Sequence, residues 1–98
     1  ALEMVTRGGA ACLGRDGELG VLAPGAVGDI AVWPLPGPAF AGAIADPIEA
    51  WLRCGPVTAR HTVVHGRTVV RDGVLVHPAV EDRLRAHAVA ARRIQEVD

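Results

Sequence analysis

The chain contains no serine, lysine, tyrosine or asparagine. The absence of serine and lysine excludes serine acyl transfer and lysine Schiff-base chemistry. All ten basic residues are arginines, scattered among eleven acids, and the formal charge is −1. With no basic stripe and a single phenylalanine for base stacking, nucleic acid is not an expected partner. Long apolar runs are missing too. None approaches the roughly 18 residues that a membrane span requires, so a soluble chain with no membrane partner is expected. The opening ALEMVTRGGAACLG has no basic flank followed by an uninterrupted apolar stretch, so it does not read as a secretory signal, and a cytoplasmic setting is the expectation. The two cysteines, Cys12 and Cys54, lie far apart without CxxC spacing. This pattern predicts reduced, core-facing thiols.

Half of the chain is apolar, and its 98 residues allow one domain that buries roughly 60 to 70 per cent of its unfolded surface. A complete α/β barrel, at about 250 residues, does not fit. Leu2, Val5, Gly9, Cys12 and Leu13 recur at helical intervals, with Gly14 as the C-terminal cap. Gly8 and Gly9 would each cost about 1 kcal/mol inside that helix, which predicts a close approach from outside it. No N-cap residue precedes the first turn, so the chain reads as starting inside a helix. From Gly20 to Trp33 the pattern predicts a strand, a type II turn on Pro24-Gly25 and a second strand. PLPGPAFAGAIA reads as an irregular surface crossing. Asp46, Pro47 and Glu49 then occupy the cap, first and third positions of a short helix over 46–54 that turns Ile48, Trp51 and Leu52 inward and ends at Gly55-Pro56. VTARHTVVHGRTVVRDGVLV predicts a meander of three strands with tight turns at His65-Gly66 and Asp72-Gly73. His77-Pro78 opens a closing amphipathic helix. Its Val80, Leu84, Ala88, Ala91 and Ile94 share one face, with Glu81 and Asp82 early and Arg92 and Arg93 late.

The histidines are the first candidates for chemistry. In a straight strand His61 and His65 would share a face but stand about 13 Å apart, too far to grip one zinc ion. His77, near a helix start, and His87, within the last helix, have no acidic or cysteine partner at ligand spacing. Asp29 at a strand entrance and Asp72 in a turn are the best remaining polar candidates, and for both the ordinary role is to hydrogen-bond a turn backbone. Gly8-Gly9 is no phosphate loop, because no strand precedes it and no GKT or GKS follows.

Taken together, ALEMVTRGGAACLGRDGELGVLAPGAVGDIAVW and VVHGRTVVRDGVLV resemble the C-terminal end of metal-dependent hydrolases of the amidohydrolase superfamily. The shared pattern is a helix A-T-x-G-G-A-A-x-L-G, a strand entrance G-x-L-x-P-G-x-x-A/G-D and a hairpin V-x-G-R-x-V-V-x-D-G. The connector AGAIADPIEAWLRCGP is most similar to the branch that deaminates oxidised purines such as 8-oxoguanine or acts on hydroxylated amino-triazines. The resemblance implies a parent enzyme whose barrel holds zinc or iron, activates water and expels ammonia from an amidine-like ring carbon. The metal-binding motifs of that barrel are not in this sequence, so no catalytic, cofactor-binding or metal-binding residue is assigned here. What it implies for this chain is an α+β fold: residues 1–14 as the last helix of the missing barrel, 15–78 as a β-rich portion of a small composite β-sandwich with mainly antiparallel strands, and 79–98 as a C-terminal helix.

Three readings follow. In the first, the chain is a structural, non-catalytic portion of a deaminase-like hydrolase, with its own barrel as partner. The second is a free-standing interaction module derived from such a tail. The third is an independent small metalloenzyme that uses the scattered histidines. Without its barrel the chain is expected to form a homo-oligomer through an exposed sheet edge or the first helix.

Overall fold

A computed structural model describes residues 1–96 as an α+β fold with one open, four-stranded antiparallel sheet and helices towards both ends. A π-helical stretch, Met4–Gly8, runs directly into α1, Gly9–Cys12. The Thr6 hydroxyl donates back to the Leu2 carbonyl at 2.8 Å. An i→i+5 turn takes more residues than an α turn. The covered row therefore runs Leu2, Thr6, Ala10 at spacings of four, with Ala10 buried. Val5, Cys12 and Leu13 of the expected inward face are exposed, because α-helical pitch does not hold through the π turn. Gly14, at φ +67°, ends the helix in a Schellman cap. The Gly14 N–H donates to Ala11 O at 3.0 Å and the Arg15 N–H to Ala10 O at 2.9 Å.

The close approach expected at Gly8 and Gly9 falls elsewhere. Those two glycines meet only backbone of their own preceding turn. It is Gly20, at φ +71°, that lies against the helix, where an added Cβ would stand 2.5 Å from the Thr6 carbonyl carbon and oxygen. Held there, Gly20–Leu22 forms no strand, contrary to its apolar pattern. Pro24-Gly25 does make its turn: the Ala26 N–H reaches Ala23 O at 3.1 Å and Gly25 has φ +88°, as a type II turn requires.

The sheet comprises β1, Ile30–Val32; β2, His61–Val64; β3, Arg67–Arg71; and β4, Val74–Leu75, in that spatial order. Both tight turns have positive φ at each central residue: 50° and 75° at His65-Gly66, 50° and 77° at Asp72-Gly73. That is the type I′ geometry whose twist matches the flanking strands. The turns set the register at Val64↔Arg67 and Arg71↔Val74. Between Thr62↔Val70 and Val63↔Thr68 the register shifts, leaving Val69 as a bulge residue. β1 is tied in from its entrance, where Asp29 Oδ1 accepts the His65 N–H at 2.7 Å and the Gly66 N–H donates to Gly28 O at 2.8 Å.

PLPGPAFAGAIA holds a short helix after all. Pro38 starts α2, Pro38–Ala41, with its ring preset for the first helical position, and Phe40 is buried. Asp46 caps α3, Pro47–Arg53, accepting the Glu49 N–H at 3.1 Å. Ala50 is the buried residue of α3, while Ile48 and Leu52, expected inward, are exposed. α4, Val80–Gln95, carries the expected charges at each end but buries no residue. At its start the Ala79 N–H donates to His77 Nδ1 at 3.1 Å.

Only Ala10, Phe40 and Ala50 form a buried apolar core among the described residues. The accessible surface is 7852 Å², whereas a compact monomer of this mass exposes about 5300 Å². The radius of gyration, 17.6 Å, exceeds the roughly 13 Å of a compact chain of equal length. The missing burial is therefore of the size of a substantial interface.

Two substitutions test which local contacts hold this arrangement. Gly20→Ala is expected to destabilise the chain by more than about 2 kcal/mol, because φ strain and a backbone clash combine. Gly17→Ala, with positive φ but open space around it, should cost roughly half as much. Equal urea midpoints for the two variants would contradict the packing of the Gly20 loop on the helix. Asp29→Ala should cost about 1 kcal/mol and speed His65 amide exchange, whereas Asp29→Asn keeps an acceptor and most of the protection. Unchanged exchange at His65 in the alanine variant would contradict the bond.

Candidate functional site

The residues that looked like chemistry in the sequence are spread through the fold. His61 begins β2 and His65 sits in the β2–β3 turn, so the two do not share one straight strand. His77 precedes α4, and His87 lies exposed on it. His61 comes nearest to an acid, with Nε2 3.7 Å from Asp72 Oδ1 and Nδ1 3.4 Å from the Asp72 N–H. Both distances exceed those of a good hydrogen bond. Asp29 accepts the His65 amide and His77 accepts the Ala79 amide, so each occupies a lone pair in holding backbone. Among the described residues no three His, Cys, Asp or Glu side chains converge on a point that could hold a metal ion. Cys12 is exposed and Cys54 half-buried, both as free thiols, so neither is the core-facing thiol expected. No helix of the described residues is long and apolar enough to cross a membrane.

What the fold does assemble is an apolar groove of about 500 Å³ between the N-terminal helix, β1 and α3. Leu2 and Val5 line it from the N-terminal helix, Leu22 from the loop after Gly20, Trp33 from just past the end of β1, and Ile48 and Trp51 from α3. The two indoles meet at a tilt of 48°, with ring centroids 5.3 Å apart, within the range of favourable aromatic contacts. No ionisable side chain lines this groove. It can bury an apolar surface, but it offers no group to donate or accept a proton in catalysis. The sequence pattern pointed to Trp51 and Ile48 as apolar, but not to their joining Leu22 and Trp33. The pairing depends on the Gly20 loop lying on the helix, which no local periodicity encodes. One signal was present, since two of the three aromatic residues of the chain are tryptophans and both lie here.

The sheet offers the other open surface. β1 and β4 are both edges, and Ile30, Val32, Val64, Val74 and Leu75 are exposed on the sheet. Native edges of this kind are normally paired, covered or charged. In this chain the described residues leave them open.

The chain is similar to the 8-oxoguanine deaminase of Pseudomonas aeruginosa, with 36% identity over 91 residues, which is 93% of this chain and 20% of that protein. It thus spans about a fifth of the length of the curated relative it matches. Residues 1–76, which include the N-terminal helix, the groove and the whole sheet, match the model of the amidohydrolase family. The chain belongs to the amidohydrolase family.

Proposed function

We propose that this chain is the structural, non-catalytic portion of a cytoplasmic metal-dependent deaminase that acts on an amino-substituted, oxidised purine ring. The observation that carries the reading is the 36% identity to an 8-oxoguanine deaminase over 93% of the chain. The open groove and bare sheet edges support it, because they are the surfaces a larger hydrolase would cover. Free thiols at Cys12 and Cys54 suit a reducing compartment. The residues present do not fit the zinc or iron that the family implies: the four histidines stand apart, and two of the best-placed polar side chains, Asp29 and His77, already hold backbone amides. In this reading the metal and its ligands belong to a barrel outside these residues. The role of the chain is to complete the β-rich layer and buttress that barrel through its N-terminal helix.

The same exposed surface favours a second reading, in which the chain is an interaction module. It then binds another protein, or a second copy of itself, through the sheet edge or the N-terminal helix.

A chimera separates the two. The matching 91 residues of the Pseudomonas deaminase are replaced by this chain, and ammonia release from 8-oxoguanine is measured. The chimera is expected to keep activity within about tenfold of the parent, a cost of about 1.4 kcal/mol at most, and this chain alone should release none. Ammonia from the chain alone would end the structural reading. A soluble, metal-loaded chimera without activity would favour the interaction module.

A further inference from the structure

α4 carries a second, separate surface. None of its residues is buried, and Leu84 and Ile94 are 61% and 77% exposed. At 3.6 residues per turn, Val80, Leu84 and Ala91 fall within about 40° of one another, with Ala88 and Ile94 on either side. His87 lies within the stripe near its middle. Glu81 and Arg92 stand about three turns apart and so flank the stripe on the same side, one at each end. The opposite flank holds Arg83 and the small Ala86 and Ala90. Among the described residues Arg92 and Arg93 make no ion pair, whereas Glu81 and Asp82 share the one cation of Arg85, with Glu81 at 3.9 Å. The N-terminal turn thus has an acid to spare, and among the described residues the C-terminal turn has cations without a partner.

We propose that α4 pairs with α4 of a second copy of this chain, antiparallel, about a two-fold axis near His87. In that arrangement Glu81 of each copy meets Arg92 of the other. Val80 lies opposite Ile94, and Leu84 covers the small Ala88 and Ala91. Arg83 faces Ala90, so the second flank brings no like charges together. A parallel pair would turn the Glu81 and Arg92 flank of each helix towards the Arg83 and Ala90 flank of the other, so Glu81 and Arg92 would not meet, and it would align the two helix dipoles unfavourably. The Glu81–Arg92 match thus points to a second copy as the occupant, and that match together with the helix dipoles favours the antiparallel direction. The narrow stripe, interrupted by a histidine, sets a weak, reversible dimer. This inference uses no residue of the groove or the sheet, so it stands independently of the function proposed above.

The test is sedimentation equilibrium of the 98-residue chain at low salt, with helix content followed by circular dichroism. The unsubstituted chain should dimerise, and Glu81→Arg or Arg92→Glu alone should weaken dimerisation roughly tenfold. The double variant E81R/R92E should recover to within about twofold of the original. The double variant also separates pairing from the ordinary preference of helices for early acids and late bases, which it violates at both ends. If the charges served only that preference, the double variant would be worse than either single one. That result overturns the proposal, as does a monomeric unsubstituted chain or a dimer indifferent to both reversals. Should a reversal lower helix content, Glu81→Ala and Arg92→Ala replace it, with a loss of roughly threefold expected and no loss overturning the idea.

Discussion

Pairing of backbone along β1 to β4 carries the load that side-chain burial carries in most small domains, and the rest of the molecule is arranged around that ladder. None of the three buried residues, Ala10, Phe40 and Ala50, belongs to the sheet. Register must therefore come from elsewhere, since a slip of one residue would exchange the two faces of a strand. Two type I′ turns supply it within β2 to β4, each fixed by a pair of residues at positive φ. For β1 the link is longer in sequence, from Asp29 to the His65 amide. That bond, with the Gly66 N–H to Gly28 O bond beside it, joins the strand entrance to the neighbouring turn and fixes where Ile30 meets Val63.

A ladder fixed in this way keeps its shape while its apolar faces stay open. Apolar area left in water is unfavourable by roughly 25 cal/mol per Å², so the exposed Ile30, Val32, Trp33, Ile48 and Leu75 represent a standing drive to associate. The groove between the N-terminal helix and α3 concentrates that drive. It has aromatic walls, little polar lining and no charge, which are the features of an interface centre rather than of a reaction site.

The elements legible in the sequence are those whose cause is local. Gly14 ends its helix, Asp46 caps α3 and His65-Gly66 and Asp72-Gly73 turn the strands because each acts within a few residues. Elements set by distant contacts depart from what their local pattern predicts. Val21 and Leu22 look like a strand, yet Gly20 is drawn against Thr6 and leaves them unpaired. At α pitch Leu2, Val5 and Gly9 share the inward face of the first helix, and the π turn over Met4–Gly8 rotates that face. Phe40 looked like part of a surface crossing because proline and glycine surround it, whereas it became one of the three core residues. Family membership was legible for a different reason: the three motifs that carry the resemblance coincide with the helix, the β1 entrance and the β2–β4 turns. The backbone geometry at Gly14, Gly66 and Gly73 admits few residue types.

The polar side chains that might have suggested chemistry share one role. Thr6, Asp29, Asp46 and His77 each bond a backbone group near a helix end, a strand entrance or a turn. A carboxylate with an amide hydrogen at 2.7 Å, or an imidazole nitrogen that accepts one, serves conformation before it serves a substrate. Such bonds also hold the open faces in one conformation before anything docks on them. Surfaces fixed in advance lose less conformational freedom on docking, so more of the apolar contact appears as affinity. Local capping, scarce core and exposed groove fit together under the proposed structural role, in which a preformed wall gains its remaining burial from what covers it.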